Sequence, residues 1–122
     1  MNLDFNPERP IYLQIIDEIK KRIVRGDLKS SEKLPSQREL ATIMSVNPNT
    51  VQRAYKELED AKIAQTLRGQ GTFISSTISL KELQNELASE ALEEFLTQMS
   101  ELGLSHGEIK ELLVRSLQER TE

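Results

Sequence analysis

Between residues 36 and 61 the chain writes two helix starts with a stop between them, and this constrains the fold more than any other feature. Ser36-Gln-Arg-Glu39 is a capping box, in which serine and glutamate side chains each satisfy the other's backbone amide. Leu40, Ala41 and Met44 give the helix that follows a buried face. Ser45-Val46 breaks it. Asn47-Pro48 opens a second helix, with Asn as cap and Pro at the first helical position, where a missing N–H costs nothing. Val51, Ala54, Tyr55 and Leu58 share one side of this helix, and Asn49, Thr50, Gln52, Arg53 and Lys56 the other. Two short helices joined so tightly make a helix-turn-helix. In that motif the second helix enters the major groove and its N-terminal residues reach base edges. Asn and Gln suit adenine and Arg suits guanine. The helix start also offers free amides to a phosphate. An ordinary solvated helical face explains the same polar residues, and from the helix pair alone the two readings stand level.

The flanking segments favour DNA. Pro7 and Pro10 restrict the residues before them, so residues 1–9 read as an extended arm. Pro10 then opens a first helix over roughly 10–25, with Tyr12, Ile15, Ile16, Ile19 and Ile23 at helical spacing and Gly26 as its stop. Residues 27–35 read as a charged, serine-rich loop ended by Pro35. After the helix pair, strands at 64–67 and 72–75 flank Arg68-Gly69-Gln70-Gly71, whose glycines suit a hairpin turn. A hairpin with an arginine tip in this place reads as a wing, laid along the minor groove or the phosphates. A plain surface hairpin is the blander account.

The net charge of −4 argues against a nucleic-acid binder until the chain is divided. Residues 1–75 carry twelve Lys and Arg against ten acids, a net +2, while residues 76–122 carry four against ten, a net −6. Two parts with different partners are therefore expected.

Four ordered stretches resemble the winged-helix domain of the GntR family of bacterial transcription regulators. They are Pro10-Ile-Tyr-Leu-Gln-Ile15, Leu34-Pro-Ser-Gln-Arg-Glu-Leu-Ala41, Val46-Asn-Pro-Asn-Thr-Val-Gln-Arg-Ala-Tyr55 and Arg68-Gly-Gln-Gly-Thr-Phe73. The resemblance implies a mainly α fold with a small β-hairpin: a winged helix-turn-helix domain over 10–76, followed by a two-helix element over 78–120. It implies DNA contacts at Arg38, Asn47, Asn49, Thr50 and Arg53, a phosphate contact at Ser36, and a wing tip of Arg68, Gly69 and Gln70. Some relatives carry arginine where this chain has Pro48 or Gln52, so base preference does not transfer. The family usually has glycine in the loop before Leu-Pro-Ser, and here Ser31 lies nearby.

The tail decides the branch of the family. Ser79 with Glu82 and Ser105 with Glu108 form two more capping boxes. They open a long helix carrying Leu80, Leu83, Leu87, Ala91, Leu92, Phe95, Met99 and Leu102, and a last helix carrying Ile109, Leu112, Leu113 and Leu117, with Gly103 between. A helical hairpin with so long an apolar stripe cannot bury it alone. It resembles the YtrA subfamily, whose short tail is a dimerisation element, here built on Leu83, Leu87, Ala91, Phe95, Met99, Leu112 and Leu113. Folding back on the winged helix is the less favoured alternative.

Together these features describe a homodimeric regulator, expected to repress a nearby operon by binding a palindromic double-stranded DNA operator. For this branch the resemblance implies operons such as those encoding ATP-binding-cassette transporters. An unidentified small-molecule effector fits the same picture. The rival class is a winged-helix protein-interaction module, against which the amides and bases of 47–56 count, because such a surface favours exposed aromatics. No catalytic set is present: cysteine is absent, and His106, the one histidine, lies in the tail. No cofactor or metal is expected. Met44 and Met99 read as core fillers. No apolar run spans a bilayer, charged residues run through the first thirty positions, and the cytoplasm is the expected compartment.

Overall fold

The computed structural model describes residues 1 and 3–121. Its elements run α1 (Ile11–Arg25), α2 (Gln37–Met44), α3 (Pro48–Asp60), β1 (Ala64–Leu67), β2 (Gly71–Ile74), α4 (Leu80–Glu101) and α5 (His106–Arg120). The chain forms two compact units, Met1–Leu83 and the residues from Gln84 onward. The boundary falls inside α4, a few residues beyond the break expected at residue 77.

The first unit is built around three helices. Ile15, Ile19 and Ile23 of α1, Leu40 and Met44 of α2, and Val51, Ala54, Tyr55 and Leu58 of α3 are buried. Each fully buried aliphatic side chain contributes about 1.5–3 kcal/mol over its exposed state. The helix ends follow their local signals. Gly26 closes α1 at φ +85°, where a missing Cβ relieves the left-handed conformation. Ser36 and Glu39 make both halves of the capping box on α2, and Asn47 caps α3 by accepting from the Asn49 amide at 2.8 Å.

Two expectations change. Pro10 lies just outside α1 as its N-cap, not as its first helical residue. The segment before it is not an extended arm. The Arg9 amide donates to the Asn6 carbonyl, and the buried Gln14 side chain pairs with the Asn6 amide and with the Asn6 and Arg9 carbonyls. One amide side chain thus folds the arm onto α1, a device that no hydrophobic pattern reveals.

The β-hairpin pairs Ala64 with Ile74, Gln65 with Phe73, Thr66 with Thr72 and Leu67 with Gly71. The second strand begins and ends one residue earlier than the sequence suggests. The loop of residues 27–35 joins this sheet: Lys33 bridges to Phe73, Leu34 N–H donates to Thr72 O at 2.8 Å and Ser31 N–H donates to Ile74 O at 3.0 Å. Ser31 adopts φ +68°, a left-handed conformation easiest for glycine. The sheet bond fixes the strained residue in place.

Tyr55 ties this loop to α3. Its ring is fully buried and its hydroxyl donates to Pro35 O at 2.7 Å. Burial, with the Glu39 charge adding to it, pushes the phenol's pKa up. Tyr55→Phe leaves that carbonyl without its donor. It is expected to lower stability by about 1–3 kcal/mol, read as a lower urea midpoint at unchanged slope. An unchanged midpoint would contradict the assignment.

In the second unit α5 follows α4 through a short turn at Leu102–Ser105, and Ser105 and Glu108 make both halves of their capping box. Close backbone approach between elements is concentrated in the first unit. Ile109 is buried, but Leu92, Leu102, Leu112, Leu113, Val114 and Leu117 remain exposed. Leu83 departs from the rest of the expected dimer stripe. It is 4% exposed within one chain and belongs to the first unit, so it is a core residue there and not a free contact.

Candidate nucleic-acid interface

The side chains expected to meet DNA fall on α2, α3 and the hairpin of the first unit. Ser36, Arg38, Glu39, Thr42 and Ile43 line one open concavity of about 400 Å³ at the start of α2. The Ser36 hydroxyl accepts from the Glu39 amide at 3.1 Å, and the Glu39 carboxylate accepts from the Ser36 amide at 3.2 Å. Hydrogen bonds from the Ser36 side chain and then its backbone hold the Glu39 carboxyl below the usual carboxylate range. Glu39 is thereby committed to the cap. Among the described residues Arg38 makes no ion pair, and its side chain is exposed. A guanidinium at a helix N-terminus opposes the macrodipole. The free protein gains nothing visible from Arg38, whereas an anionic partner would.

On α3 the cap uses only the Asn47 side-chain oxygen, leaving its NH2 group to donate outward. Asn49 and Arg53 follow at i, i+4 on the solvent side, and Thr50 is half-buried at the edge, its amide donating to Asn47 O at 2.9 Å. Arg53 is engaged: its guanidinium lies 3.8 Å from the Tyr12 ring centroid, and Nη2 donates to the Tyr12 hydroxyl at 3.1 Å. By spacing alone Tyr12 belongs to the apolar stripe of α1. A tyrosine at the edge of that stripe, with a hydroxyl to satisfy, was the available signal.

The hairpin tip presents Arg68, Gly69 and Gln70 to solvent. The Gln70 amide closes the turn onto Leu67 O at 2.9 Å, and Gly69 adopts φ +76° with open space where a Cβ would stand. Gly71 differs. At φ +120°, a Cβ there would lie 2.8 Å from Lys33 Cε, so the lysine stem crosses the strand where the side chain is missing. Lys33 is a second base beside the wing, although its sequence context is that of a charged loop. Thr66 links the wing to α3 through a hydrogen bond to Glu59, and meets Thr72 across the hairpin at 2.9 Å. Among the described residues no His, Cys, Asp and Glu cluster could hold a metal, and no helix is long and apolar enough to cross a membrane.

Comparison with known proteins agrees with this geometry. Residues 11–74 match the family of bacterial regulatory proteins named gntR. An uncharacterized HTH-type transcriptional regulator, YhcF of Bacillus subtilis, is 49% identical over 112 residues, covering 91% of this chain and 93% of that protein. The HTH-type transcriptional repressor YtrA of Bacillus subtilis is 53% identical over 75 residues, 62% of this chain and 58% of that one. A GntR family transcriptional regulator from Listeria monocytogenes superposes with a TM-score of 0.78 at 38% identity, over 91% of this chain and 98% of that one. The DNA-binding domain of AraR, solved in complex with an operator, superposes at 0.56 with 28% identity, over 62% of this chain and 95% of that one. With its winged helix, its short two-helix tail and these relatives, the chain belongs to the GntR family of bacterial DNA-binding transcriptional regulators and is similar to the YtrA branch within it.

Proposed function

We propose that this protein is a homodimeric repressor. It places α3 in the major groove of each half of a twofold-symmetric operator and its wing along the adjoining backbone. The observation that carries the reading is the pair of Arg38 and the α3 start. Among the described residues the Arg38 guanidinium makes no ion pair and lies at a helix N-terminus, and Asn47, Asn49 and Arg53 at and along the start of α3 are exposed to solvent. AraR supports it, because a similar domain was solved on an operator. Ser36 is expected to reach a phosphate while it caps α2, and Arg68, Gly69 and Gln70 to follow the backbone. The protein-interaction alternative lacks support, since the outward side of α3 presents amides and bases and no aromatic ring.

The tail supports the dimer. Leu87, Phe95 and Met99 are half-buried, and Ala91, Leu112 and Leu113 are exposed, in the single chain. A cavity of about 290 Å³ lined by Leu96, Ser100, His106, Ile109, Lys110 and Leu113 lies in the same unit. We assign this largely apolar hollow to contact with a second copy, not to an effector. The proposed site of action is the cytoplasm, and the proposed target is a nearby operon, an ATP-binding-cassette transporter operon in the first instance.

Binding is expected to weaken steeply with salt despite the net charge of −4. Each phosphate neutralised by a local Lys or Arg releases counterions, with a slope of about −0.9 per contact. Operator affinity measured between low and physiological salt tests this. A flat response would instead favour a protein partner.

A further inference from the structure

Arg53 is more tightly held than an exposed base on a recognition helix needs to be. Its stem leaves the solvent side of α3, and its side chain is 62% exposed. Yet the guanidinium stacks on the Tyr12 ring at 3.8 Å, donates from Nη2 to the Tyr12 hydroxyl at 3.1 Å and faces Glu57 from Nε at 3.9 Å. Tyr12 lies in the first turn of α1, half-buried, on a helix anchored by fully buried Ile15 and Ile19. The ring is therefore a fixed shelf belonging to a different helix.

We propose that Tyr12 is a positioning residue for DNA recognition: it holds Arg53 in one orientation on the surface of α3 before the duplex arrives. This rests on the reading of Arg53 as facing DNA. The geometry fits the task. Nε is turned to Glu57 and one Nη2 hydrogen to Tyr12, which leaves both Nη1 hydrogens and one on Nη2 for a pair of acceptors. That remaining edge is the one arginine uses bidentately on a guanine or a phosphate. An unheld arginine loses its rotamer freedom when it binds, and a shelf that orders it beforehand removes part of that cost. The ring also covers one side of the guanidinium, which leaves the other side open to a partner. Glu57 alone would not do this, because an exposed carboxylate at 3.9 Å on the same helix is a loose restraint.

The test uses the full-length protein and the genomic duplex it enriches most strongly. Affinity is measured by fluorescence anisotropy for the parent protein, Tyr12→Leu, Tyr12→Phe, Arg53→Ala and the double variant Tyr12→Leu/Arg53→Ala, with melting temperatures alongside. Tyr12→Leu is expected to weaken binding about tenfold. It should cost almost nothing further once Arg53 is alanine, because the two residues act as one unit. Tyr12→Phe, which keeps the ring, should recover most of the loss. An equal loss from Tyr12→Leu in both backgrounds would overturn the inference, since Tyr12 would then act on DNA or on the fold without Arg53. Parent-like affinity for Tyr12→Leu beside a weakened Arg53→Ala would overturn it as well, while leaving Arg53 on the DNA. Parent-like affinity for Arg53→Ala would instead remove Arg53 from the interface, a failure of the underlying reading that this arm identifies separately.

Discussion

Arg38→Ala is expected to weaken operator binding by about 2–6 kcal/mol for the dimer, at a nearly unchanged melting temperature. One charged contact to a base is worth about 1–3 kcal/mol, and a twofold complex loses it twice if the half-sites are independent. The fold gives little reason for compensation. Arg38 is exposed, makes no ion pair among the described residues, and cannot call on Glu39, which the capping box has engaged. Its position in the first turn of α2 opposes the helix dipole by about 0.3–1 kcal/mol, so alanine should be neutral or slightly stabilising in the free protein. A surface salt bridge, the competing account of this residue, would contribute about 0–1 kcal/mol to stability and nothing to DNA. Isothermal titration and a thermal melt on the same variant separate the two. A lowered melting temperature with intact affinity would assign Arg38 to the fold.

Leu87→Glu with Phe95→Glu is expected to leave monomers at micromolar concentration. Both side chains are half-buried on α4, about one and three turns into the second unit. In a dimer each substitution would bury a carboxylate twice, at a cost of several kcal/mol per ion. Operator affinity should fall by a further factor of about 10²–10⁴, because two linked half-site contacts become independent. Sedimentation equilibrium reads the first effect and a footprint titration the second. A variant that still sediments as a dimer would move the interface elsewhere, with the exposed face of α5 next in line.

Local chemistry accounts for what the sequence made legible. Ser36 and Glu39, Asn47 and Pro48, Ser105 and Glu108, and Gly26 are signals whose physics lies within four residues, and the structure realises each of them. The Arg68–Gly71 turn is of the same kind. What was missed depends on contacts across the chain. Gln14 folds the N-terminal segment back through hydrogen bonds up to eight residues away. Residues 31–34 join the hairpin some forty positions later, without the alternating apolar pattern that marks a strand. Leu83 shares its spacing with Leu87, so periodicity assigned both to one stripe, whereas the first unit takes Leu83 into its own core.

The candidate site was legible in the same uneven way. Family motifs named Arg38 and the α3 residues, and their exposure is compatible with those roles. The partnership of Arg53 with Tyr12 joins residues 41 positions apart, and the sequence signals only that Tyr12 has a hydroxyl to satisfy. Lys33 beside Gly71 is equally silent, because the link is a lysine stem filling the place of a missing side chain.

The central claim is that two copies of this chain read a symmetric duplex with α3. Hydroxyl-radical footprinting of the full-length protein on its most enriched genomic fragment tests it most directly. The account predicts two protected half-sites related by a twofold axis, one helical turn or a whole multiple of it apart, about 34–36 Å per turn. In each half guanine N7 in the major groove should be shielded from dimethyl sulfate in a parallel reaction, and both protections should be lost together in the two halves with Arg38→Ala. A single unsymmetric footprint, or uniform protection without a preferred fragment, would contradict it.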